Sequence, residues 1–196
     1  MRKADVKRKT SETDIDLELR LDGSGKADVD TGVGFLDHML TLLAVHGRFD
    51  LTVRCAGDTR VDDHHSTEDV GIALGEAFRQ ALGDKRGICR YGSMLLPMDE
   101  ALVLCAVDLS GRSMLRYDLR LPAQKVGTFD TELAEEFFLA FTRTAGVTLH
   151  LRELDGTNTH HILEAAFKGL GRALRQAVAL DGAAADQIPS TKGTLT

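Results

Sequence analysis

Long apolar runs, clustered cysteines and an excess of basic residues are all missing from this 196-residue chain. A membrane-spanning helix needs about 20 consecutive apolar residues, and the longest apolar segments, residues 39–45 and 101–107, are far shorter. The formal net charge is −6, with 30 acidic and 24 basic side chains, whereas a nucleic-acid surface needs a basic stripe. The composition therefore predicts a protein that binds neither membranes nor nucleic acids.

Three cysteines are too few and too widely spaced for a disulfide framework or a CxxC metal site. Cys55, Cys89 and Cys105 lie mostly in apolar alternating segments, which favours buried thiols. Residues 1–7 lack the apolar stretch of a signal peptide, and residues 32–37 lack the third glycine and the lysine of nucleotide-binding loops. We therefore expect a cytoplasmic protein without a glycine-rich nucleotide site.

What the chain does contain is a repeat built around two pairs of adjacent histidines. The segment 64–82 matches 160–178 at an offset of 96 residues, from the histidine pair through a shared Arg-Gln-Ala. Upstream, an offset of 98 pairs residues 51–54 with 149–152. The match predicts two fused copies of one ancestral half within a single compact unit. We place the halves at residues 1–86 and 87–180, followed by a tail, residues 181–196.

Periodicity predicts similar elements in both halves. Alternation of apolar and polar residues predicts strands over residues 15–21, 49–55, 101–109, 114–121 and 147–154. Apolar stripes at helical spacing predict helices over residues 35–47, 64–82, 133–144 and 160–179. Helices grouped with mostly antiparallel strands indicate an α+β fold. We expect an internally duplicated two-layer sandwich, each half a mostly antiparallel sheet packed with helices.

Each histidine pair begins a predicted helix and is followed by a glutamate. His64 and Glu68 share a helix face, whereas His64 and His65 point about 100° apart and rarely bind one ion together. We therefore predict that the two histidines of each pair contribute to two different metal sites. The predicted ligands are His64, His65, Glu68 and their repeats His160, His161 and Glu164. Nitrogen and oxygen ligands without thiolates suit Mn²⁺, Fe²⁺ or Zn²⁺; the alternative interpretation is a half-exposed cluster near a helix N-terminus.

Two further candidate ligands lie on the helix that precedes the strand in each half; the alternative for a lone histidine beside apolar residues, such as His38, is a structural role. His38 lies on that helix in the first half, and the offset of 98 residues pairs it with Glu136. One division of the ligands places His38, His65, Glu68 and His161 in one set, and His64, Glu136, His160 and Glu164 in the other. His46 is close enough in sequence to His38 to line the same pocket, whereas His150 fits a strand face. The nearby carboxylates either orient imidazoles or are solvated; they are Asp37, Asp62, Asp63 and Asp69.

Four segments, residues 34–39, 62–69, 158–168 and 189–193, closely resemble the imidazoleglycerol-phosphate dehydratases of histidine biosynthesis. The resemblance runs in order along essentially the whole chain, although Glu136 stands where many members have histidine. It implies a duplicated α+β fold that assembles into a shell of twenty-four subunits, with metal sites between subunits. It also implies two Mn²⁺ ions per active site, with other divalent metals as alternatives.

The implied reaction removes water from D-erythro-imidazole glycerol phosphate to give imidazole acetol phosphate. The proton to be removed has no adjacent carbonyl to acidify it, so the resemblance implies that two metal ions hold the substrate imidazolate between them. The implied catalytic residues are Glu12, Glu68 and Glu164. The implied substrate-binding residues are Glu12, His46, Arg90, Arg112, Lys168, Ser190 and Lys192, the last two from a tail that contributes to the phosphate site.

Two alternative functions keep the metals but change their use. In a dinuclear metallohydrolase, the ions would activate water rather than hold an imidazole. In a metal-binding shell without catalysis, the histidines would hold subunits together.

Overall fold

The computed structural model describes residues 2–195, which form two four-stranded sheets, four α-helices and a short hairpin. The first half contains β1 (Lys3–Lys9), β2 (Thr13–Arg20), β3 (Ala27–Asp30), α1 (Gly34–Gly47), β4 (Asp50–Gly57) and α2 (His64–Leu82). The second contains β5 (Tyr91–Met98), β6 (Ala101–Asp108), β7 (Met114–Asp118), β8 (Lys125–Val126), β9 (Phe129–Asp130), α3 (Leu133–Ala145), β10 (Thr148–Asp155) and α4 (Thr159–Val178).

The two large sheets have the same topology. Their strand orders are β1-β2-β4-β3 and β5-β6-β10-β7, and in each only the last pair is parallel. The strand register also repeats. In the first sheet Ile15 pairs with Cys55, and in the second Val103 pairs with Glu153. Val103 is the equivalent of Ile15, 88 residues later, and Glu153 is the equivalent of Cys55, 98 residues later. This confirms the duplicated α+β fold. The boundary between residues 86 and 87 stays a prediction.

The helices join the halves into one core. α1 and α2 pack on the first sheet and α3 and α4 on the second, while α1 also contacts α4 and α2 contacts α3. Three buried rings cross this junction: Phe78 packs edge-on against Phe49 of its own half at 5.2 Å and against Phe141 of the other at 5.5 Å. The apolar stripes predicted from the sequence thus face both a sheet and the opposite half.

Equivalent glycines allow both helix pairs to approach closely. A Cβ added at Gly75 of α2 would lie 2.6 Å from the carbonyl oxygen of Phe141 on α3. A Cβ at Gly171, 96 residues later on α4, would lie 2.5 Å from the carbonyl oxygen of Leu43 on α1. Because real Cβ atoms do not approach backbone this closely, both crossings depend on the absence of a side chain.

We expect Gly75→Ala to lower the free energy of unfolding by about 2 kcal/mol, since the added methyl group must push α2 away from α3. Urea titrations followed by far-UV circular dichroism at fixed chain concentration measure the change. Gly34→Ala is the matched control, because a Cβ on this α1 residue meets nothing within 4 Å. Equal losses in the two variants would contradict the close-approach explanation.

Candidate active site

Three predicted metal ligands meet where α1 packs against α4. The Asn158 side chain caps α4 by accepting hydrogen bonds from the backbone N–H groups of His160 and His161. One turn later Glu164 lies on the same helix face, with its Oε2 3.0 Å from His160 Nε2. His38 Nε2, on α1, lies 3.9 Å from the same oxygen. One ligand atom from each of His38, His160 and Glu164 falls within 4.8 Å of the others, so these side chains can bind one ion together.

The charge state of Glu164 suits metal binding. Its burial would raise the pKa, but hydrogen bonds from Lys168 and His160 outweigh that effect and hold the pKa below its usual value. The carboxylate is therefore ionised although it is only 8% exposed. A buried carboxylate with two imidazoles fits a divalent ion of the Mn²⁺, Fe²⁺ or Zn²⁺ type. The sequence-based division had placed His38 apart from His160 and Glu164, whereas the structure brings the three together.

The second histidine pair begins α2. His64 Nε2 lies 3.8 Å from Glu68 Oε2, as the helical spacing predicts. His65 Nδ1 lies 3.0 Å from a carboxylate oxygen of Asp58, and its Nε2 lies 3.7 Å from Glu12 Oε1. The hydrogen bond to Asp58 raises the pKa of His65. A carboxylate at Nδ1 orients an imidazole and leaves Nε2 for a ligand.

His161 has the same arrangement with a different partner. Its Nδ1 lies 2.7 Å from Glu100 Oε2, and its Nε2 lies 3.7 Å from Asp99 Oδ2. The backbone N–H of Asn158 also donates to Glu100, at 2.8 Å. The hydrogen bonds from His161 and Asn158 lower the pKa of Glu100 to about 2. Glu100 therefore orients His161 as Asp58 orients His65.

Sequence reasoning missed Asp58 and Glu100, and it left Asp37, Asp62, Asp63 and Asp69 open between orienting imidazoles and being solvated. Asp37 instead accepts hydrogen bonds from Thr31, Asp69 accepts them from Arg8 and Thr13, and Asp62 accepts one from the backbone of His64. Within residues 2–195, none of these hydrogen bonds involves an imidazole, nor is one seen for Asp63. No short spacing relates Glu100 to His161, so only the fold reveals this pair.

Glu136 lies half-buried on α3. Within the described part of the chain its side chain has no hydrogen bond or ion pair and is not part of the cluster around Glu164. Its role as a ligand stays a prediction.

Four of the predicted substrate-binding residues line one cavity of about 550 Å³: Arg90, Arg112, Ser190 and Lys192. The tail reaches this place because Arg90 Nη1 donates to the carbonyl of Pro189 at 2.8 Å. Arg90 Nε also donates to Asp108 at 2.7 Å. The tail thus packs against the start of the second half, and its hydroxyl and ammonium groups join two guanidinium groups.

The other three predicted substrate-binding residues lie beside predicted metal ligands instead: Glu12 beside His65, and Lys168 and His46 near Glu164. Lys168 Nζ pairs with Glu164 and lies 3.6 Å from Met98 Sδ. Burial lowers the pKa of His46, and the charges of Lys168 and Arg172 lower it further. A second region of positive charge therefore borders the cluster of His38, His160 and Glu164.

In the Glu100→Gln variant, we expect the free energy of unfolding to fall less steeply on acidification than in the wild type. Because the folded-state pKa of Glu100 lies below 4.5, at about 2, its carboxylate stabilises the fold above pH 4.5 and loses this effect as the pH falls toward 2. The difference in unfolding free energy between wild type and variant should therefore shrink on acidification. Urea titrations of metal-free protein between pH 6 and 3 measure this difference. A difference that stays constant over this range would contradict the lowered pKa of Glu100.

Comparisons with known proteins agree with this geometry. A family profile described as imidazoleglycerol-phosphate dehydratase matches residues 31–174. The chain belongs to this family. The dehydratase of Jannaschia sp. (strain CCS1) is 62% identical over 195 residues and 100% of both chains. That of Desulforamulus reducens is 64% identical over 194 residues, covering 99% of this chain and 98% of the relative.

Solved structures of imidazoleglycerol-phosphate dehydratases share the fold. The Staphylococcus aureus enzyme superposes with a TM-score of 0.84 at 41% identity, covering 91% of this chain and 99% of its own. The Pyrococcus furiosus enzyme, solved in complex with (S)-C348, gives 0.84 at 39% identity, covering 97% and 100%. The chain is therefore a hydro-lyase that acts in histidine biosynthesis. The family is metal-dependent. Among the described residues, no helix is long and apolar enough to cross a membrane.

Proposed function

We propose that this chain dehydrates imidazole glycerol phosphate to imidazole acetol phosphate with two Mn²⁺ ions per active site. The observation that carries the proposal is the convergence of His38, His160 and the ionised Glu164 on one point between α1 and α4. The remaining proposed ligands are His64, His65, Glu68, His161 and Glu136. When bound, the ions supply Lewis-acid chemistry to the substrate imidazole.

The protein's own groups supply positioning and proton transfer. Asp58 and Glu100 fix the rings of His65 and His161 through their Nδ1 atoms, which leaves each Nε2 available to bind a metal ion. Glu12 is half exposed beside His65 and is the proposed acid or base at the carbon-bound proton. Glu68 and Glu164 are proposed to bind metal and also to stabilise charge during the reaction.

The phosphate group fits the cavity formed by the tail. Arg112 and Lys192 offer positive charge and Ser190 offers a hydroxyl group, which is the chemistry that binds phosphate. Arg90 already donates to Asp108 and Pro189, so it also holds the tail in place. His46 and Lys168 bind substrate from the side of the metal cluster.

A second subunit is proposed to complete each site. None of the residues lining the phosphate cavity belongs to the cluster of His38, His160 and Glu164, yet one small substrate must reach both. The outer face of the second sheet is also apolar where the first is charged: Leu95 and Leu154 are 50% and 51% exposed, whereas Lys7, the equivalent of Leu95, pairs with Asp16. These features support a homo-oligomer, for which we propose twenty-four subunits.

Leu95→Lys places a charge on the apolar face where the first half has Lys7. We expect a clear fall in particle mass by multi-angle light scattering, because burying an unpaired ammonium group in an interface is costly. Thr52→Lys, on the outer face of the first sheet, is the control and should keep the wild-type mass. An unchanged mass for Leu95→Lys would exclude this face from the assembly.

The function is tested by incubating Mn²⁺-loaded protein with imidazole glycerol phosphate and identifying the products. Formation of imidazole acetol phosphate that stops on chelation and returns with Mn²⁺ is the expected result. Release of inorganic phosphate instead would support a metallohydrolase. Bound metal with no turnover would support a non-catalytic metal-binding shell. The cytoplasmic location stays a prediction of the sequence.

A further inference from the structure

The hairpin that opens each half brings a glutamate to a histidine. Glu12 lies in the β1–β2 turn and Glu100 in the β5–β6 turn, 88 residues apart like the equivalent residues of β2 and β6. Their partners, His65 and His161, are also equivalent, 96 residues apart on α2 and α4. The two glutamates therefore occupy the same position in the duplicated fold.

The two carboxylates are held in different ways. Glu100 accepts hydrogen bonds from His161 and from the backbone of Asn158, so its own side chain is fixed. The Glu12 carboxylate is 48% exposed and lies 3.7 Å from His65, and within residues 2–195 it accepts no hydrogen bond. The position of Glu12 therefore depends on the backbone of its turn.

That backbone is held from beneath by a largely buried polar cluster. Thr10 Oγ1 accepts hydrogen bonds from the N–H groups of Glu12 at 3.1 Å and Thr13 at 3.0 Å. Thr13 Oγ1 in turn donates to Asp69 Oδ2 at 2.5 Å, and Arg8 Nη2 donates to Asp69 Oδ1 at 2.7 Å. Asp69 is 7% exposed. We call Arg8, Thr13 and Asp69 the anchor cluster.

The second half shows that the fold does not need this cluster. The residues equivalent to Arg8, Thr13 and Asp69 are Leu96, Ala101 and Ala165, all buried and apolar. Since burying a charge pair costs desolvation energy that apolar packing avoids, a purely structural contact would favour the apolar set. The polar set occurs in the first half, where the carboxylate of Glu12 accepts no hydrogen bond from any of the described residues.

We propose that the anchor cluster is a positioning device that holds the Glu12 turn in register with His65, so that the Glu12 carboxylate faces the substrate. This inference rests on the proposed role of Glu12 in the dehydration. Arg8, Thr13 and Asp69 are positioning residues, because they act through the turn. A displacement of about 1 Å in a proton-transferring group lowers a rate about a hundredfold.

The test exchanges the anchor cluster for its counterpart in the second half, as Arg8→Leu/Thr13→Ala/Asp69→Ala. Exchanging all three leaves no unpaired buried charge. We expect kcat to fall about a hundredfold, with KM, metal-to-chain ratio and particle mass close to wild type. Wild-type kcat in this variant would overturn the proposal, and so would a loss of activity explained by lost metal.

A second measurement separates positioning from general damage. In a Glu12→Gln background the triple exchange should cause almost no further loss of kcat, because the group that it positions is already disabled. A loss as large as in the wild-type background would show that the cluster acts on something other than Glu12.

Single substitutions at Thr13 decide the question if the triple variant does not fold. Thr13→Ser keeps the hydroxyl group that binds Asp69 and should keep kcat, whereas Thr13→Val removes it and should lose kcat about tenfold to a hundredfold. Equal activity of the two would overturn the proposal. Thr142→Val is the control, since Thr142 is buried on α3 and its hydroxyl binds its own helix. A wild-type protein without dehydratase activity would instead refute the proposed function.

Discussion

Glu12→Gln is expected to lower kcat of the dehydration about a thousandfold, since a positioned acid or base contributes roughly a hundredfold to ten-thousandfold to a rate. KM, metal content and particle mass should stay close to wild type. The reason is geometric: within the described chain, the carboxylate accepts no hydrogen bond and is half exposed, so the amide disturbs little besides proton transfer. Steady-state kinetics with metal analysis of the same preparations measure these quantities.

Glu18→Gln is the matched control for Glu12→Gln. Glu18 is an exposed acidic residue on the outer face of β2, and its neutralisation changes the net charge equally. It should leave kcat unchanged. Full activity of Glu12→Gln would remove Glu12 from the mechanism, and with it the basis for the anchor cluster.

His160→Ala is expected to remove a metal ion and abolish turnover. The metal-to-chain ratio should fall from about two toward one, and kcat should fall at least about a thousandfold, because the reaction depends on Lewis-acid activation of the imidazole. The loss follows from the position of His160: its Nε2 lies 3.0 Å from the ionised Glu164 and its ring lies 5.8 Å from that of His38. Plasma emission spectrometry and kinetics of reconstituted protein measure the two effects.

His150→Ala controls for the loss of an imidazole as such. His150 is exposed on β10 and is not part of the cluster of His38, His160 and Glu164, so its replacement should keep the wild-type metal ratio. A full metal complement in His160→Ala would contradict the assignment of the cluster between α1 and α4. Metal loss with unchanged turnover would contradict metal-dependent catalysis.

Local signals predicted some strands and missed others. From Ile15 to Arg20, β2 alternates between apolar and charged residues, and all of its inward side chains are buried. No strand was predicted at β1 or β5. β1 has only Ala4 and Val6 on its buried face among many charges, and β5 contains a glycine and a proline. Both become strands because they complete hairpins with β2 and β6, and long-range pairing outweighs local preference.

Contacts between helices decide which predicted ligands lie together, and the repeat offsets do not specify those contacts. The repeat correctly related His64 to His160, whereas its pairing of His38 with position 136 stays a prediction. Neither offset specifies which helix packs against which. α1 packs against α4 of the other half, and the close approach of Gly171 to Leu43 allows this crossing. That crossing brings His38 to His160 and Glu164.

The sequence by itself determined the duplication, the α+β class and the family, because spacing and order along the chain carry these signals. It also singled out the imidazoles at the start of α2 and α4 as candidate metal ligands, since residues four apart on a helix are neighbours. Only the tertiary structure decided that Asp58 and Glu100 hydrogen-bond to two of those imidazoles, and that Asp69 hydrogen-bonds to Thr13 beside Glu12. These contacts join hairpin turns, loops and helices distant in the chain, and packing between elements sets them rather than any local pattern.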